Sequence, residues 1–248
     1  MAGEIITASG TLEENSLWLK YATEVFPQPT EQAVEINNII RAIRCVHNFG
    51  DLAYISAPIT SGKVLYDLQL ENPSMSQEER LRLAMTYNYQ HGLELVTTLQ
   101  KSKRCPILYP ADMVPVKKDW KQAHFQALWL SLIAEKCTEV HMGKGWEYSN
   151  GATEEFTHVM QLRLGIPKHS DIVFLNTKED EQQERERMRN IRVYDDLGNP
   201  LSIDGGIGLM AESIGWVQKN GLDGSNLVHC LKILKWTRQM TKAGFYQK

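Results

Sequence analysis

The chain lacks the features that would tie it to a metal, a membrane or a nucleic acid. Its 248 residues hold four cysteines, Cys45, Cys105, Cys137 and Cys230, each isolated in the sequence. With no CxxC pair and no Cys/His cluster, a zinc site has no basis. Reduced thiols are expected, and neither a metal nor a cofactor is called for. No apolar run approaches the roughly 20 residues that span a bilayer. The opening MAGEIITASGTLEEN has neither the basic nor the apolar region of a signal peptide, so a cytoplasmic protein with no membrane partner is expected. Excess positive charge is missing too. A net charge of −3 and a pI near 6.2 argue against a dedicated nucleic-acid binder, whose footprint is basic. Ser61-Gly62-Lys63 looks like the end of a phosphate loop, but the GxxxxGK[ST] spacing is absent. No internal repeat or low-complexity segment occurs.

What is present suits one α/β domain with additions, since 42% of the residues are hydrophobic. Residues 12–26 fit a short amphipathic helix, and Thr30 can cap a second over 31–48. Leu52 to Ser56 reads as a buried strand running into the small-residue loop 57–63. A long helix over 77–102, a strand over 105–110, a helix over 117–136 and a strand over 138–142 follow. Ser149 or Asn150 opens the next helix, which ends near Gly165, and 171–175 reads as a further strand. This alternation predicts a parallel sheet with helices on both faces. Residues 178–192 are densely charged and read as a solvated helix or loop. Val193 to Ile203 looks like a hairpin, and helices near 206–219 and 226–240 close the chain, the second capped by Ser225. Three segments result: an N-terminal helical extension over 1–50, an α/β core over 51–176, and a C-terminal extension over 177–248 that is a candidate subunit interface. A homodimer or higher homo-oligomer is expected, because the tail carries Ile207, Leu209, Met210, Ile214, Trp216, Leu231, Leu234 and Trp236. Internal packing of those residues is the alternative.

The most informative segment is Trp146-Glu-Tyr-Ser-Asn-Gly-Ala-Thr-Glu-Glu-Phe156. It reads as a loop entering a helix, with two acids in the first turn. A helix N-terminus offers unpaired N–H groups and the positive end of the dipole, which suits an anion and favours an ionised carboxylate. Glu155 shares a stripe with Ala152, Val159 and Leu162, whereas Glu154 falls with Gly151, His158 and Gln161. Helical phase therefore points Glu155 inward and Glu154 to solvent. An inward carboxylate needs a reason: a structural ion pair, or a nucleophile at the carboxyl ends of the strands, where open α/β sheets bind ligands. In a parallel sheet the other loops reach the same edge. They bring an anion cradle (Ser56, Thr60, Ser61, Gly62, Ser149, Gly151), aromatic surfaces (Tyr54, Trp146, Tyr148) and the acid Asp112. That set suits a ligand with a phosphate, a sugar and a flat base. Each part also has a plainer reading: Trp146 as packing, Asp112 as a turn former, His141 as a core histidine, and Asp119 as a favourable first-turn charge.

Tyr54-Ile-Ser-Ala-Pro-Ile59 with its small-residue loop, together with Gly145-Trp-Glu-x-Ser149-x-Gly151-Ala152-x-x-Glu155, resembles the nucleoside 2-deoxyribosyltransferase superfamily. The likeness is greatest to its nucleotide N-glycosidase-like members and covers about residues 52–176. It implies a flavodoxin-like, doubly wound parallel sheet, here with added N-terminal helices and a C-terminal hairpin plus helices. It implies that Glu155 attacks the anomeric carbon and that water or a second base resolves the glycosyl-enzyme. It also implies that Ser149, where transferases acting on free nucleosides often carry an acid, contacts a 5′-phosphate. Cys137-Thr138 stands where the family often has an aspartate, so Asp112 and Asp119 are the candidates to protonate the leaving base. The expected activity is cleavage or exchange of the N-glycosidic bond of a (deoxy)nucleoside 5′-monophosphate. The alternatives are cleavage or base exchange on NAD or a related dinucleotide, and an inactive nucleotide sensor.

Overall fold

The computed structural model describes residues 16, 17, 21, 24, 25, 30–46, 52–102, 105–113, 119–165 and 178–243. Among the described residues four strands form one parallel sheet: β1 (Leu52–Ser56), β2 (Ile107–Leu108), β3 (Cys137–Met142) and β4 (Arg192–Tyr194), in the order β2-β1-β3-β4. β1 lies between two neighbours and has helices on both faces, which is why the uncharged run LAYIS is buried at all five positions. The order matches the flavodoxin-like winding, in which the direction of strand addition reverses between β1 and β3. At that point Ser56 pairs with Met142, and the Gly143 N–H donates to the Ser56 carbonyl at 2.7 Å.

Eight α-helices occur among the described residues: α1 (Glu31–Val46), α2 (Lys63–Glu71), α3 (Gln77–Ser102), α4 (Gln122–Lys136), α5 (Asn150–Leu162), α6 (Lys178–Arg189), α7 (Ile203–Lys219) and α8 (Ser225–Lys242). The fold is therefore α/β and flavodoxin-like, with added helices. α3 covers β1 and β2 on one face, where Ile55 meets Leu99 and Tyr109. α5 lies against β1 on the other face and is enclosed by α4, α7 and α8. Every residue of α5 from Ala152 to Leu162 is buried as a result. One hydrophobic cluster runs from Tyr21 and Ile36 through Tyr54 and Phe156 to Leu234. Among the described residues no helix is long and apolar enough to cross a membrane.

Several expectations are corrected. α2 fills residues for which the sequence predicts no element beyond the loop ending at Lys63; it starts directly after Gly62, which sits at φ 113°. α4 begins at Gln122, so Asp119 lies in the turn before it and not in its first turn. The first arm of the expected hairpin is β4, paired in parallel with β3. A turn at Gly198 then brings Leu201 N–H back to the Val193 carbonyl at 2.8 Å. Ser225 is the first residue of α8 and Gly224 its cap. Met210, Ile214, Leu231, Leu234 and Trp236 of the tail are buried within the chain, since α7 and α8 roof α5. The strand read at 171–175 and most of the helix read at 12–26 lie outside the described residues.

Candidate functional site

Alternation along β1 sends Leu52, Tyr54 and Ser56 to the α5 face and Ile55 to the other. Tyr54 Oη donates to Glu155 Oε1 at 2.8 Å, and Ser56 Oγ donates to Oε2 at 2.6 Å. Tyr54 and Ser56 thus hold the carboxylate, correcting their expected places as an aromatic surface and part of the anion cradle. Glu155 is the sixth residue of α5, which has no acid in its first turn, so the helix terminus does not keep it ionised. Burial dominates instead and raises its pKa from 4.5 to about 7, against the two hydrogen bonds that favour the anion, with nearby Glu154 adding a further rise. Burial beside Glu155 pushes the Tyr54 phenol well above its ordinary value, so it stays a donor. Glu154 is buried, not solvent-facing: Tyr21 Oη donates to its Oε2 at 2.6 Å. The amphipathic argument fails because α5 is enclosed on all sides.

Glu155 lines a cleft of about 360 Å³ at the carboxyl edge of the sheet. Thr60, Ser61 and Gly62 line one wall, and Ser149 and Gly151 line the start of α5. Ser149 caps α5, its Oγ accepting from the Ala152 N–H. Ser61 Oγ lies 3.1 Å from Ser149 Oγ and accepts from the Asn150 N–H at 3.2 Å. Two hydroxyls therefore meet at the helix start. The facing wall, missed in the sequence, is Gln122, Gln126 and Trp129 of α4. Their spacing of four and three puts them on one stripe, and two glutamines on an apolar helix were the available signal. Gln126 Nε2 reaches the Gly151 carbonyl at 3.4 Å.

The remaining candidates lie elsewhere. Trp146 is buried against Phe156, with ring centroids 4.6 Å apart, so it packs the core and offers no stacking face. Tyr148 stands edge-on to Trp216 and lines a neighbouring cavity of about 290 Å³ with Lys63. Asp112, exposed on a short 3-10 turn, accepts from Tyr89 Oη at 3.0 Å. Asp119 accepts from Gln32 Nε2 at 2.5 Å. Neither aspartate borders the cleft. His141 is a core histidine, 3.1 Å from Glu139 and stacked on Tyr194. Among the described residues no group of three or more His, Cys, Asp or Glu is placed to hold a metal ion.

No protein-family model and no solved structure matches the chain. Among curated proteins it is similar to a dTDP-glucose 4,6-dehydratase of Actinoplanes sp., 26% identical over 160 residues, which cover 56% of this chain and 48% of that protein. The chain spans about half the length of the curated relative it matches. That likeness bears on neither the deoxyribosyltransferase resemblance nor a glycosidase activity.

Proposed function

We propose that the protein cleaves or exchanges the N-glycosidic bond of a nucleoside 5′-monophosphate, with Glu155 as nucleophile. One observation carries the reading: a buried carboxylate, held by two hydroxyl donors, lines the same cleft as the paired Ser61 and Ser149 hydroxyls. Residues 149 and 155 are about 9 Å apart along the helix axis. That leaves room for a pentose 5-phosphate, its phosphate at the hydroxyls and its anomeric carbon at the carboxylate. A carboxylate oxygen forms a bond to the anomeric carbon as the bond to the base breaks, and the electron pair leaves on the base. Water then attacks the anomeric carbon of the glycosyl ester, releasing the sugar phosphate and restoring the carboxylate, and the proton that water loses balances the one the departed base takes up from solvent; a second base in place of water gives exchange. A pKa raised to about 7 makes the anion a stronger nucleophile than an ordinary glutamate while leaving much of it ionised near neutrality. The hydroxyls of Tyr54 and Ser56 fix its orientation.

A second reading, cleavage or base exchange at the ribosyl–nicotinamide bond of NAD or a related dinucleotide, is favoured by the positions of Asp112 and Asp119. Both expected proton donors lie off the cleft, and a pyridinium base departs neutral without needing a proton. The test is a panel of nucleosides, 5′-monophosphates and NAD, read by chromatography for free base with and without an acceptor base. Base release from monophosphates that disappears in Glu155→Ala supports the first reading. Nicotinamide release alone supports the second. Tight nucleotide binding with no product would make the protein a sensor and overturn both, and full activity in Glu155→Ala would remove the nucleophile.

A further inference from the structure

We infer that Asn88, on α3, is a positioning residue that turns the Thr60 and Gly62 amides into the cleft as a pair of anion donors. The inference rests on the proposed reading of the cleft as the seat of a phosphate. Asn88 is 6% exposed, and its Nδ2 donates to the carbonyls of both Ile59 and Ser61 at 3.1 Å each. The amide orientation is settled by chemistry, because an oxygen in that place would face two carbonyl oxygens. Both N–H groups of the side chain are thus committed to one loop.

The consequence follows from peptide geometry. In a trans peptide the N–H of one residue points opposite to the C=O of the residue before it. With the Ile59 and Ser61 carbonyls turned to Asn88, the N–H groups of Thr60 and Gly62 point away from it. Asn88 lines the neighbouring cavity, whereas Thr60 and Gly62 line the cleft that holds Glu155. Ile59 and Ser61 line that cleft as well, so the whole loop borders it; on this inference the two amides, turned from Asn88, face into it, and neither donates to a protein acceptor among the described residues. Gly62 sits at φ 113°, ψ 178°, a conformation open only to glycine, and a Cβ there would lie 2.9 Å from Pro58 Cβ. Alternate N–H groups held to one side by a clamp on their carbonyls form an anion-binding concavity. Its specificity is for a phosphate or similar oxyanion, complementing the Ser61 and Ser149 hydroxyls.

The test is titration of the 15N-labelled full-length protein with inorganic phosphate, then of Asn88→Ala and Asn88→Asp. Asn88→Asp keeps the shape but sets a carboxylate against two carbonyls. The Thr60 and Gly62 amide resonances should move on phosphate binding in the wild type. In both variants that movement should vanish and affinity should fall about 10- to 100-fold, the scale of lost hydrogen bonds to a charged group. KM for a nucleoside 5′-monophosphate should rise by the same factor while KM for the free nucleoside stays within about twofold, a split that general damage to the fold would not produce. Phosphate that shifts Ser149 and Gly151 but leaves Thr60 and Gly62 unmoved overturns the inference and leaves the cleft reading standing. If neither phosphate nor a monophosphate moves any cleft resonance, the cleft reading fails and this inference with it. If both variants fail to fold, the wild-type Asn88 side-chain NH₂ resonances replace them: hydrogen-bonded shifts that respond to phosphate together with the Thr60 and Gly62 amides support the clamp, and an NH₂ group that stays unmoved overturns it.

Discussion

Replacing Glu155 by Gln should stabilise the protein at alkaline pH and leave it nearly unchanged in acid. The folded protein binds the Glu155 proton with a pKa of about 7, against 4.5 for an unperturbed glutamate. Between those values the folded state carries a proton that the unfolded chain has lost, so this group lowers stability as pH rises from 4.5 to 7 and has a constant effect beyond. At 1.36 kcal/mol per pK unit the full swing is about 3 kcal/mol. Glutamine does not titrate and matches glutamate in shape. Tyr54 can still donate to its amide oxygen, and the Ser56 hydroxyl can turn to accept from its NH₂. The difference in unfolding free energy between variant and wild type should therefore be small at pH 4.5 and reach about 3 kcal/mol in the variant's favour by pH 8, or roughly 6–12 °C in Tm for a chain of this size. Urea unfolding of both proteins at half-unit pH steps measures it, and the other titrations cancel in the difference. A difference that stays flat between pH 5 and pH 8 would refute the argument that burial dominates the Glu155 environment. Inactivity together with greater stability is the pattern expected of a carboxylate kept for chemistry at a cost to the fold.

Three further outcomes are expected. Ser56→Ala removes one of the two hydrogen bonds that favour the Glu155 anion, so the acidic limb of kcat/KM should move upward from about pH 7 by roughly one unit; a pH–rate profile with an unmoved limb would contradict the assignment. Gly206→Ala sets a Cβ 2.1 Å from the Phe156 ring and should cost about 1–3 kcal/mol in urea unfolding, so a neutral result would argue against the close approach of α7 to α5. Asp112→Asn and Asp119→Asn, on the exposed Tyr89 and Gln32 contacts, should leave kcat within about twofold; a hundredfold loss in either would restore that residue as the acid that protonates the leaving base.

Legibility tracked how local the determining forces were. β1 and α3 match the residues read for them, because an uncharged β-rich run and a long helical run are set by neighbours in sequence. The Ser149 cap is equally local, a side chain meeting the N–H three residues on. β2 shrank to two residues because its length depends on pairing, and α2 went unread because it hangs on one glycine torsion. The fate of Glu154 shows the limit of helical phase. The method assumes one wet face, and α5 has none from Ala152 onward.

The sequence by itself determined the alternation of strands and helices and the Ser149 cap that opens α5. These follow from backbone periodicity and from a capping bond between near neighbours. Only the tertiary structure decided that Tyr54 and Ser56 hold the Glu155 carboxylate, that Gln126 and Trp129 line the same cleft, and that Asp112 and Asp119 lie elsewhere. It also raised the Glu155 pKa, through burial that no neighbour in sequence reveals. The hold on the carboxylate depends on partners about a hundred residues away in the chain, and the rest on which elements pack side by side; such contacts exist only once the layers have packed.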